Sequence, residues 1–238
     1  MIPDLDSKIA KATYPYLFKN SFILNDLPQQ DLDVLQLHTK SEERKRGEIL
    51  FRQGTFPTGA YLLVKGKVKI FQGEEKGNRQ TLYIYSNSDL IAYRQLIADQ
   101  PNPVSATLLE DSTLRFIPRD VFRLLIKTSP FFTRNVLSAL AHEFTVWMNR
   151  MTVFKKFPVR TRLALTLLVL YEQYRASGAS PRIITITRTE LAEFIGASLE
   201  TIVRTMNTFK TDKLVQVSGR EITLTDLEGL LEIVQDHS

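Results

Sequence analysis

The 238-residue chain contains no cysteine, and this absence excludes several kinds of site at once. Without thiols there is no disulfide framework, no thiolate zinc site and no cysteine-bound iron–sulfur cluster. Histidine is also scarce, and the three histidines, at positions 38, 142 and 237, lack the spacing of metal or haem ligands. We therefore expect no metal site and no iron–sulfur or haem cofactor.

Long apolar runs, a signal-peptide pattern and catalytic motifs are missing as well. A helix that crosses a membrane needs about 20 mainly apolar residues in succession, so we expect a cytoplasmic protein with no membrane partner. We find no nucleophile–base set, no cluster of metal ligands and no phosphate loop of the GxxxxGK(S/T) type. The sequence therefore indicates that the protein is not an enzyme and has no catalytic residues.

Positive charge is in excess, but it is unevenly distributed along the chain. There are 31 Lys and Arg residues against 26 Asp and Glu residues, which gives a net charge of +5. The surplus lies in residues 112–162, which carry ten basic and two acidic residues, whereas residues 156–238 carry ten of each. This balance permits an anionic partner. A nucleic-acid site in the last third would depend on a few well-placed residues rather than on bulk charge.

Residues 47–117 form a series of short strand-like runs separated by glycines. The runs are rich in Val, Ile, Leu, Tyr and Phe, and glycines stand where the strands would bend or turn. This spacing predicts a compact β-roll or jelly-roll barrel. Such a barrel either encloses a small ligand or is filled by its own side chains, and the sequence leaves both open. The charged run at residues 42–46, just before it, predicts a solvated face.

A long helix is predicted after Pro130, and it ends before Phe157-Pro158 because proline disfavours helix in the residue before it. Its apolar residues recur every three or four positions, with Glu143 or Phe144 in the turn between Leu140 and Trp147. This stripe is too apolar for an isolated exposed helix. The stripe either lies wholly on the barrel or packs partly against its own copy in a two-fold dimer. We favour the dimer. The stripe consists of Phe132, Val136, Leu140, Trp147, Met151 and Phe154.

The stretch from Thr187 to Phe209 predicts two short helices joined by a tight turn at Gly196-Ala197. Thr187 and Glu190 form a capping-box signature for the first helix, and Ser198 is a good N-cap for the second, residues 198–209. If Ile202, Met206 and Phe209 are buried, an opposite face of the second helix points outward. This pattern is typical of a DNA recognition helix, but an ordinary helical hairpin has it too. The outward residues are Leu199, Glu200, Val203 and Arg204.

The surroundings of this hairpin complete a winged helix. A core helix is predicted at 159–174, a short strand at 183–186 and a β-hairpin at 214–225 that turns at Ser218-Gly219, and Thr225 with Glu228 predicts a capped last helix to Gln235. The fold class is therefore α+β. We expect an N-terminal β-roll domain (1–129), a long dimerisation helix with a hinge (130–157) and a C-terminal winged-helix domain (158–238).

Two motifs in this order resemble those of the Crp/Fnr family of bacterial transcription regulators. Residues 47–54 (GEILFRQG) and 61–70 (YLLVKGKVKI) are similar to the family's β-roll signature. The stretch 187–209 is similar to its recognition motif at Thr187-Arg188, Gly196, Ser198, Glu200-Thr201 and Arg204. The resemblance implies a homodimer that places one recognition helix in each of two successive major grooves of a palindromic double-stranded DNA operator. It also implies contact with RNA polymerase.

The resemblance further implies which side chains read DNA. Arg204 would donate to guanine O6 and N7, and Glu200 would accept from cytosine N4. Thr201 would contact a phosphate or a thymine methyl group. Leu199 stands where the cyclic-AMP-binding members carry a basic residue, so the base preference should differ. The alternative for Glu200 and Arg204 is a surface salt bridge, which stabilises a helix by only a few tenths of a kcal/mol.

Two further residues, Arg188 and Ser198, would hold phosphates at the starts of the two helices and set the register on DNA. A protein that uses the same winged helix only to contact a ligand or a protein partner is the alternative function.

The effector site departs from the family pattern. Ser88-Asp89 and Val104-Ser105 stand where cyclic-AMP-binding members have Gly-Glu and Arg-Ser, so the bidentate phosphate contact of an arginine is lost. Trp147-Met148 replaces a polar pair near the base. We therefore expect an apolar pocket for a small molecule other than cyclic AMP, or constitutive activity. Tyr93 and Arg94 border this pocket and either bind an anion or lie on the surface. The predicted pocket residues are Asp89, Tyr93, Arg94, Val104, Ser105, Trp147 and Met148.

Overall fold

The computed structural model describes residues 4–73, 79–176 and 182–236. Its helices are α1 (Leu5–Thr13), α2 (Gln29–His38), α3 (Tyr93–Ala98), α4 (Arg119–Thr128), α5 (Pro130–Lys156), α6 (Val159–Ala176), α7 (Arg188–Ile195), α8 (Leu199–Thr211) and α9 (Leu227–Gln235). Its strands are β1 (Lys40–Arg44), β2 (Ile49–Phe51), β3 (Gly59–Lys65), β4 (Val68–Gln72), β5 (Gln80–Tyr85), β6 (Leu90–Ile91), β7 (Ser105–Leu108), β8 (Ser112–Pro118), β9 (Ile183–Thr185), β10 (Val215–Ser218) and β11 (Glu221–Leu224). This α+β composition, with a β-rich first half, a long helix and a helical second half, confirms the predicted fold class.

The described chain divides into two compact units that do not follow the chain order. The first unit comprises residues 18–144. The second unit combines residues 145–238 with the N-terminal residues 1–17, so that α1 belongs with the helical second half. The predicted domain boundaries, at 129/130 and 157/158, separate the chain by the expected role of each part and not by its contacts. These boundaries stay a prediction.

The first unit contains two four-stranded antiparallel sheets, with strand orders β1-β8-β3-β6 and β2-β7-β4-β5. The β3–β4 corner requires a glycine at position 66. Gly66 has φ +123°, and a Cβ atom there would lie 2.1 Å from the Ser112 hydroxyl oxygen. Any side chain would therefore force apart two adjacent corners of the roll.

A helical core closes one side of the first unit. Phe122 of α4 and Phe132 of α5 are fully buried and meet edge to face, with ring centroids 5.4 Å apart. Val136 is buried in the same cluster, together with Ile23 and Leu35. The beginning of the predicted stripe on α5 therefore packs against its own unit. Met151, at the other end of that stripe, is exposed.

The second unit is built around α6, whose buried apolar residues pack against α1, α7, α8 and α9. A three-stranded antiparallel sheet, in the order β10-β11-β9, lies beside it and forms the wing. The α1 helix is fixed to α6 by a hydrogen bond from the Tyr171 hydroxyl to the Asp6 carboxylate at 2.8 Å. A helix-turn-helix with an adjacent β-hairpin thus stands where the sequence predicts it.

The structure adds one local feature to the sequence-based predictions and corrects another. The charged run at 42–46 overlaps β1, an edge strand that pairs only with β8 among the described strands. Charged side chains on an edge strand block further pairing, so a polar run does not exclude a strand. The last helix is capped by Asp226, which accepts from the Gly229 N–H at 2.9 Å, because the Thr225 hydroxyl donates instead to the Lys213 carbonyl.

Candidate nucleic-acid interface

The turn between α7 and α8 is held by three sets of local contacts. At the start of α7, the Thr187 hydroxyl accepts from the Glu190 N–H at 3.1 Å, and Glu190 accepts from the Thr187 N–H at 2.8 Å. This confirms the predicted capping box. At its end, Gly196 adopts the left-handed conformation, with φ 66° and ψ 50°. The Arg162 guanidinium of α6 donates to the Ile195 carbonyl at 2.8 Å and thus ties the turn to the core helix.

The second helix, α8, starts at the predicted cap and presents one face to solvent. The Ser198 hydroxyl oxygen accepts from the Thr201 N–H at 3.2 Å, and the two hydroxyls lie 2.8 Å apart. Ile202, Met206 and Phe209 are buried, as the spacing predicts. This anchoring fixes the rotation of α8 and therefore decides which side chains point outward.

The exposed face of α8 is a shallow groove with charged and apolar members. Glu200 and Arg204 are both exposed, and within the described residues neither forms an ion pair or a side-chain hydrogen bond. Leu199 and Val203 are exposed despite being apolar. An unpaired carboxylate and guanidinium one turn apart are free to bond base edges. The groove is lined by Leu199, Glu200, Val203, Arg204, Asn207, Thr208, Thr211 and Asp212.

This face extends further along α8 than the sequence reasoning proposed. Asn207 lies three residues after Arg204 and seven after Glu200, a spacing that places it on the same side. That spacing was readable in the sequence. At the far end, Asp212 is held by Arg160 of α6, with 2.9 Å between the guanidinium and carboxylate. The available recognition surface thus runs from Leu199 to Thr208.

Arg188 is half-buried at the start of α7 rather than extended into solvent. Its Nη2 donates a long hydrogen bond, 3.4 Å, to the Gly219 carbonyl at the turn of the wing. Its Nη1 is buried without a hydrogen-bond partner among the described residues. Burial lowers the pKa of the Arg188 guanidinium. An anion beside Arg188 would supply the partner that Nη1 lacks.

Two of the predicted effector residues lie buried close together inside the first unit. Asp89 is fully buried, and its two oxygens accept the backbone N–H groups of Asn20 at 3.0 Å and Ser86 at 2.9 Å. Burial raises the pKa of Asp89 to about 6. Tyr93 is fully buried next to this segment, and burial raises the pKa of its hydroxyl. Asp89 therefore links the backbone at Asn20 to the backbone at Ser86. A contact between Asp89 and an effector stays a prediction.

The other predicted effector residues are distributed over both units. Arg94 forms an ion pair with the buried Glu143, 3.4 Å between Nη1 and Oε2. Val104 is buried, and the Ser105 hydroxyl accepts from the Gln53 N–H at 2.9 Å. Trp147 is half-buried and Met148 is exposed, and both belong to the second unit.

Neither a group of metal ligands nor a helix able to span a membrane occurs in the described part of the chain. Within residues 4–73, 79–176 and 182–236, no three side chains form a group that could hold a metal ion. His237 lies outside the described residues. In the same ranges, no helix combines the length and apolar character that crossing a membrane requires.

Two domain models match the chain, one over the β-roll and one over the winged helix. Residues 41–129 match the cyclic nucleotide-binding domain, and residues 161–233 match the Crp-like helix-turn-helix domain. An anaerobic regulatory protein of Haemophilus influenzae is 28% identical over 210 residues, which cover 87% of this chain and 81% of that protein. The fumarate and nitrate reduction regulatory protein of Vibrio cholerae is 26% identical over 214 residues, covering 89% of this chain and 84% of the relative.

Solved structures support the same fold. A transcriptional regulator of the Crp/Fnr family from Eubacterium rectale superposes with a TM-score of 0.72 at 22% identity, covering 91% of this chain and all of the other. The c-di-GMP-responsive regulator CLP of Xanthomonas campestris gives a TM-score of 0.71 at 19% identity, covering 84% of this chain and all of the other. The chain belongs to the Crp/Fnr family and is a DNA-binding transcriptional regulator, not an enzyme, with a cyclic nucleotide-binding domain followed by a Crp-like helix-turn-helix domain.

Proposed function

We propose that this regulator binds a palindromic operator sequence-specifically as a homodimer, with α8 of each protomer in the major groove. The observation that carries the proposal is the outward face of α8. Glu200 and Arg204 stand exposed, and unpaired among the described residues, one helical turn apart on a helix whose opposite side is anchored in the core. The net charge of residues 156–238 is zero, so binding must depend on a few well-placed side chains rather than on bulk charge.

Each residue of the interface has a role that follows from its chemistry. Arg204 donates to O6 and N7 of a guanine, and Glu200 accepts from N4 of a cytosine. Leu199 offers only apolar contact. Thr201 takes a phosphate or a thymine methyl group through the part of its side chain that remains open beside the Ser198 cap.

Phosphate contacts set the register of the helix on DNA. Ser198 lies at the N-terminus of α8, where unsatisfied backbone N–H groups favour an anion. Arg188 has a buried Nη1 without a hydrogen-bond partner among the described residues and lies between α7 and the wing. A phosphate at Arg188 would pair with the guanidinium, and a second phosphate would accept from the backbone N–H groups at the start of α8.

The dimer is supported by a second stripe on α5 that the sequence reasoning did not separate from the first. Its members are exposed in the single chain and succeed one another at intervals of four and three residues. This is the a/d repeat of a two-stranded coiled coil. We propose that two copies of α5 pair along it, and that contact with RNA polymerase follows from membership of the family. The stripe consists of Leu137, Ala141, Phe144, Met148 and Met151.

The effector, in this proposal, is a small molecule other than cyclic AMP, bound in the β-roll. The support is chemical. Val104 is buried where cyclic-AMP-binding members carry an arginine, so the phosphate of a cyclic nucleotide would find no guanidinium there.

Equilibrium binding of Arg204→Ala and Glu200→Ala to a selected operator and its single-base variants tests the DNA-reading role. We expect each substitution to weaken binding by about 1–3 kcal/mol at one base pair of each half-site and to leave the other positions unchanged. Lys11→Ala, on the exposed side of α1, is the charge control. Unchanged base preference in both variants would contradict the assignment. If no DNA is bound selectively by the wild type, the winged helix serves a ligand or protein partner instead.

A further inference from the structure

The interior of the first unit contains a cluster of stacked aromatic rings. Phe18 is buried and lies parallel to Tyr83 of β5, with ring centroids 3.9 Å apart and an interplanar angle of 11°. Tyr85, two residues along the same strand, meets Phe18 edge to face at 5.7 Å. Phe18 comes from the N-terminal segment, not from a strand of the roll. The N-terminal segment therefore places the Phe18 ring against the side chains of β5.

A single guanidinium faces these rings within the described part of the chain. Arg94 lies 5.4 Å from the Tyr83 ring centroid and 5.8 Å from that of Phe18, and it donates to the Tyr83 hydroxyl. Its side chain is 26% exposed, whereas that of its ion-pair partner Glu143 is 2% exposed. The cation thus lies at the rim of the cluster, and the carboxylate that neutralises it lies inside.

Asn20 connects the ring to the carboxylate. Its side-chain amide donates to the Leu90 carbonyl at 2.9 Å and to Glu143 Oε1 at 3.3 Å, and its carbonyl accepts from the Leu90 N–H at 2.7 Å. Phe18 and Glu143 are therefore held by one hydrogen-bonded segment. Movement of either one would disturb the other.

Such an arrangement is unusual for a filled core. A buried ion pair seldom stabilises a fold more than apolar residues of the same volume. A guanidinium that contacts aromatic faces, with an anion in its plane, is instead the chemistry that recognises flat anions. Here the chain itself provides both the flat ring and the anion.

We propose that this cluster is the effector site, that Phe18 and Glu143 are its resting occupants, and that the effector is a small planar aromatic anion. The ligand's ring takes the place of Phe18 on Tyr83, and its anionic group takes the place of Glu143 on Arg94. This inference rests on the proposed effector function of the β-roll. The segment that bears Phe18 continues at Leu17 into the second unit.

Calorimetric titration of the full-length protein with benzoate tests the site without DNA. We expect weak binding to the wild type and at least tenfold tighter binding to Glu143→Gln, because the substitution removes the competing anion but keeps the Asn20 contact. Phe18→Ala should also bind benzoate at least tenfold more tightly, and adding Arg94→Gln to Glu143→Gln should reverse the gain. Glu110→Gln is the matched control, since Glu110 pairs with Lys67 elsewhere in the same unit.

Two other probes separate the parts of the claim. Benzyl alcohol has the aromatic ring without the charge, and cyclohexanecarboxylate has the charge without the aromatic ring. The increase in affinity from wild type to Glu143→Gln should be smaller for each of these probes than for benzoate. If Phe18→Ala does not fold by near-ultraviolet circular dichroism, Phe18→Leu, which keeps most of the volume without the flat ring, replaces it. The proposal is overturned if Glu143→Gln binds benzoate no tighter than Glu110→Gln, if benzyl alcohol gains as much, or if the wild type binds cyclic AMP tightly.

The outcome is independent of operator binding. A protein that takes benzoate as expected but selects no DNA contradicts the proposed function alone. A protein that selects its operator but shows no gain in benzoate affinity contradicts this inference alone.

Discussion

Glu200 and Arg204 have opposite charges and lie one helical turn apart, yet they do not pair in the structure. An exposed i,i+4 pair stabilises a helix by only about 0.2–0.5 kcal/mol. Keeping the two groups apart therefore costs the free protein little. Each can then bond a base edge, where a good bidentate contact discriminates by roughly 1–3 kcal/mol. Because a base contact is worth more than the salt bridge, these energies favour side chains that stay unpaired in the free protein and bond bases in the complex.

Ser198 illustrates a residue with both a structural and a proposed DNA-binding role. Its hydroxyl caps α8 through the Thr201 N–H. We expect Ser198→Ala to lower the free energy of unfolding of the second unit by about 1 kcal/mol, and Ser198→Gly to lower it by only a few tenths. Urea unfolding of both variants measures the difference. Losses near zero in both variants would mean that the cap contributes nothing.

Asp89 should make stability depend on pH in a direction opposite to that of most carboxylates. Its pKa is raised to about 6 by burial, against 3.8 in the unfolded chain. The folded state therefore binds the proton more tightly. The stabilising contribution is complete below pH 3.8 and is lost as pH rises to about 6. A shift of this size corresponds to about 3 kcal/mol.

The test compares unfolding free energies of the wild type and Asp89→Asn between about pH 4 and pH 7. Because the amide introduced by this substitution does not titrate, the difference between the two proteins should change by up to about 3 kcal/mol across this range. Burial raises the pKa of Glu143 as well, and that contribution is present in both proteins, so it cancels except for the coulombic coupling between Glu143 and Asp89. A difference that stays constant with pH would contradict the raised pKa.

Among the helices and strands, the best-predicted elements are those defined by local contacts. The α7–α8 turn follows from a capping box, a left-handed glycine and a serine cap, all within residues 187–198. One element defined by a distant partner, β1, was missed. β1 exists only because it pairs with β8, which lies far along the chain, and its charged residues gave no local signal.

The long helix α5 combines two apolar stripes that the sequence alone did not distinguish. Periodicity shows that a residue is apolar at helical spacing, but not which of two faces finds a partner within its own chain. Phe132 and Val136 face the core of the first unit, whereas Leu137 and Phe144 face solvent. Only the packing of the first unit reveals that a second apolar face is left over.

We expect Leu137→Lys combined with Met151→Lys to convert a dimer into a monomer, because both positions lie on the exposed stripe of α5. Sedimentation equilibrium measures the change in mass. Ser138→Lys adds one positive charge at an exposed position of α5 beside the stripe and should leave the dimer intact. A double variant that stays dimeric would place the dimer contact elsewhere.

At the scale of the whole molecule, the N-terminal segment joins parts that are far apart in sequence. Its helix α1 packs with α6 and α9, and Phe18 and Asn20 are buried in the first unit. No sequence pattern could predict these contacts. The Asn20–Asp89 hydrogen bond spans 69 positions, and the Tyr171–Asp6 hydrogen bond spans 165. The effector site that we propose includes Arg94 of the predicted pocket, whereas Phe18, Asn20 and Glu143 carry no local sequence signal for such a site.

The central claim is that two copies of α8 read a symmetric operator through Glu200 and Arg204. Selection of bound sequences from random double-stranded DNA, with the purified wild type and Arg204→Ala side by side, tests it most directly. We expect the wild type to enrich an inverted repeat with half-site centres about 10–10.5 base pairs apart or a multiple of that distance. Arg204→Ala should lose the preference at one G·C pair of each half-site. Enrichment of an unrepeated sequence, or the same preferences in both proteins, would contradict the account.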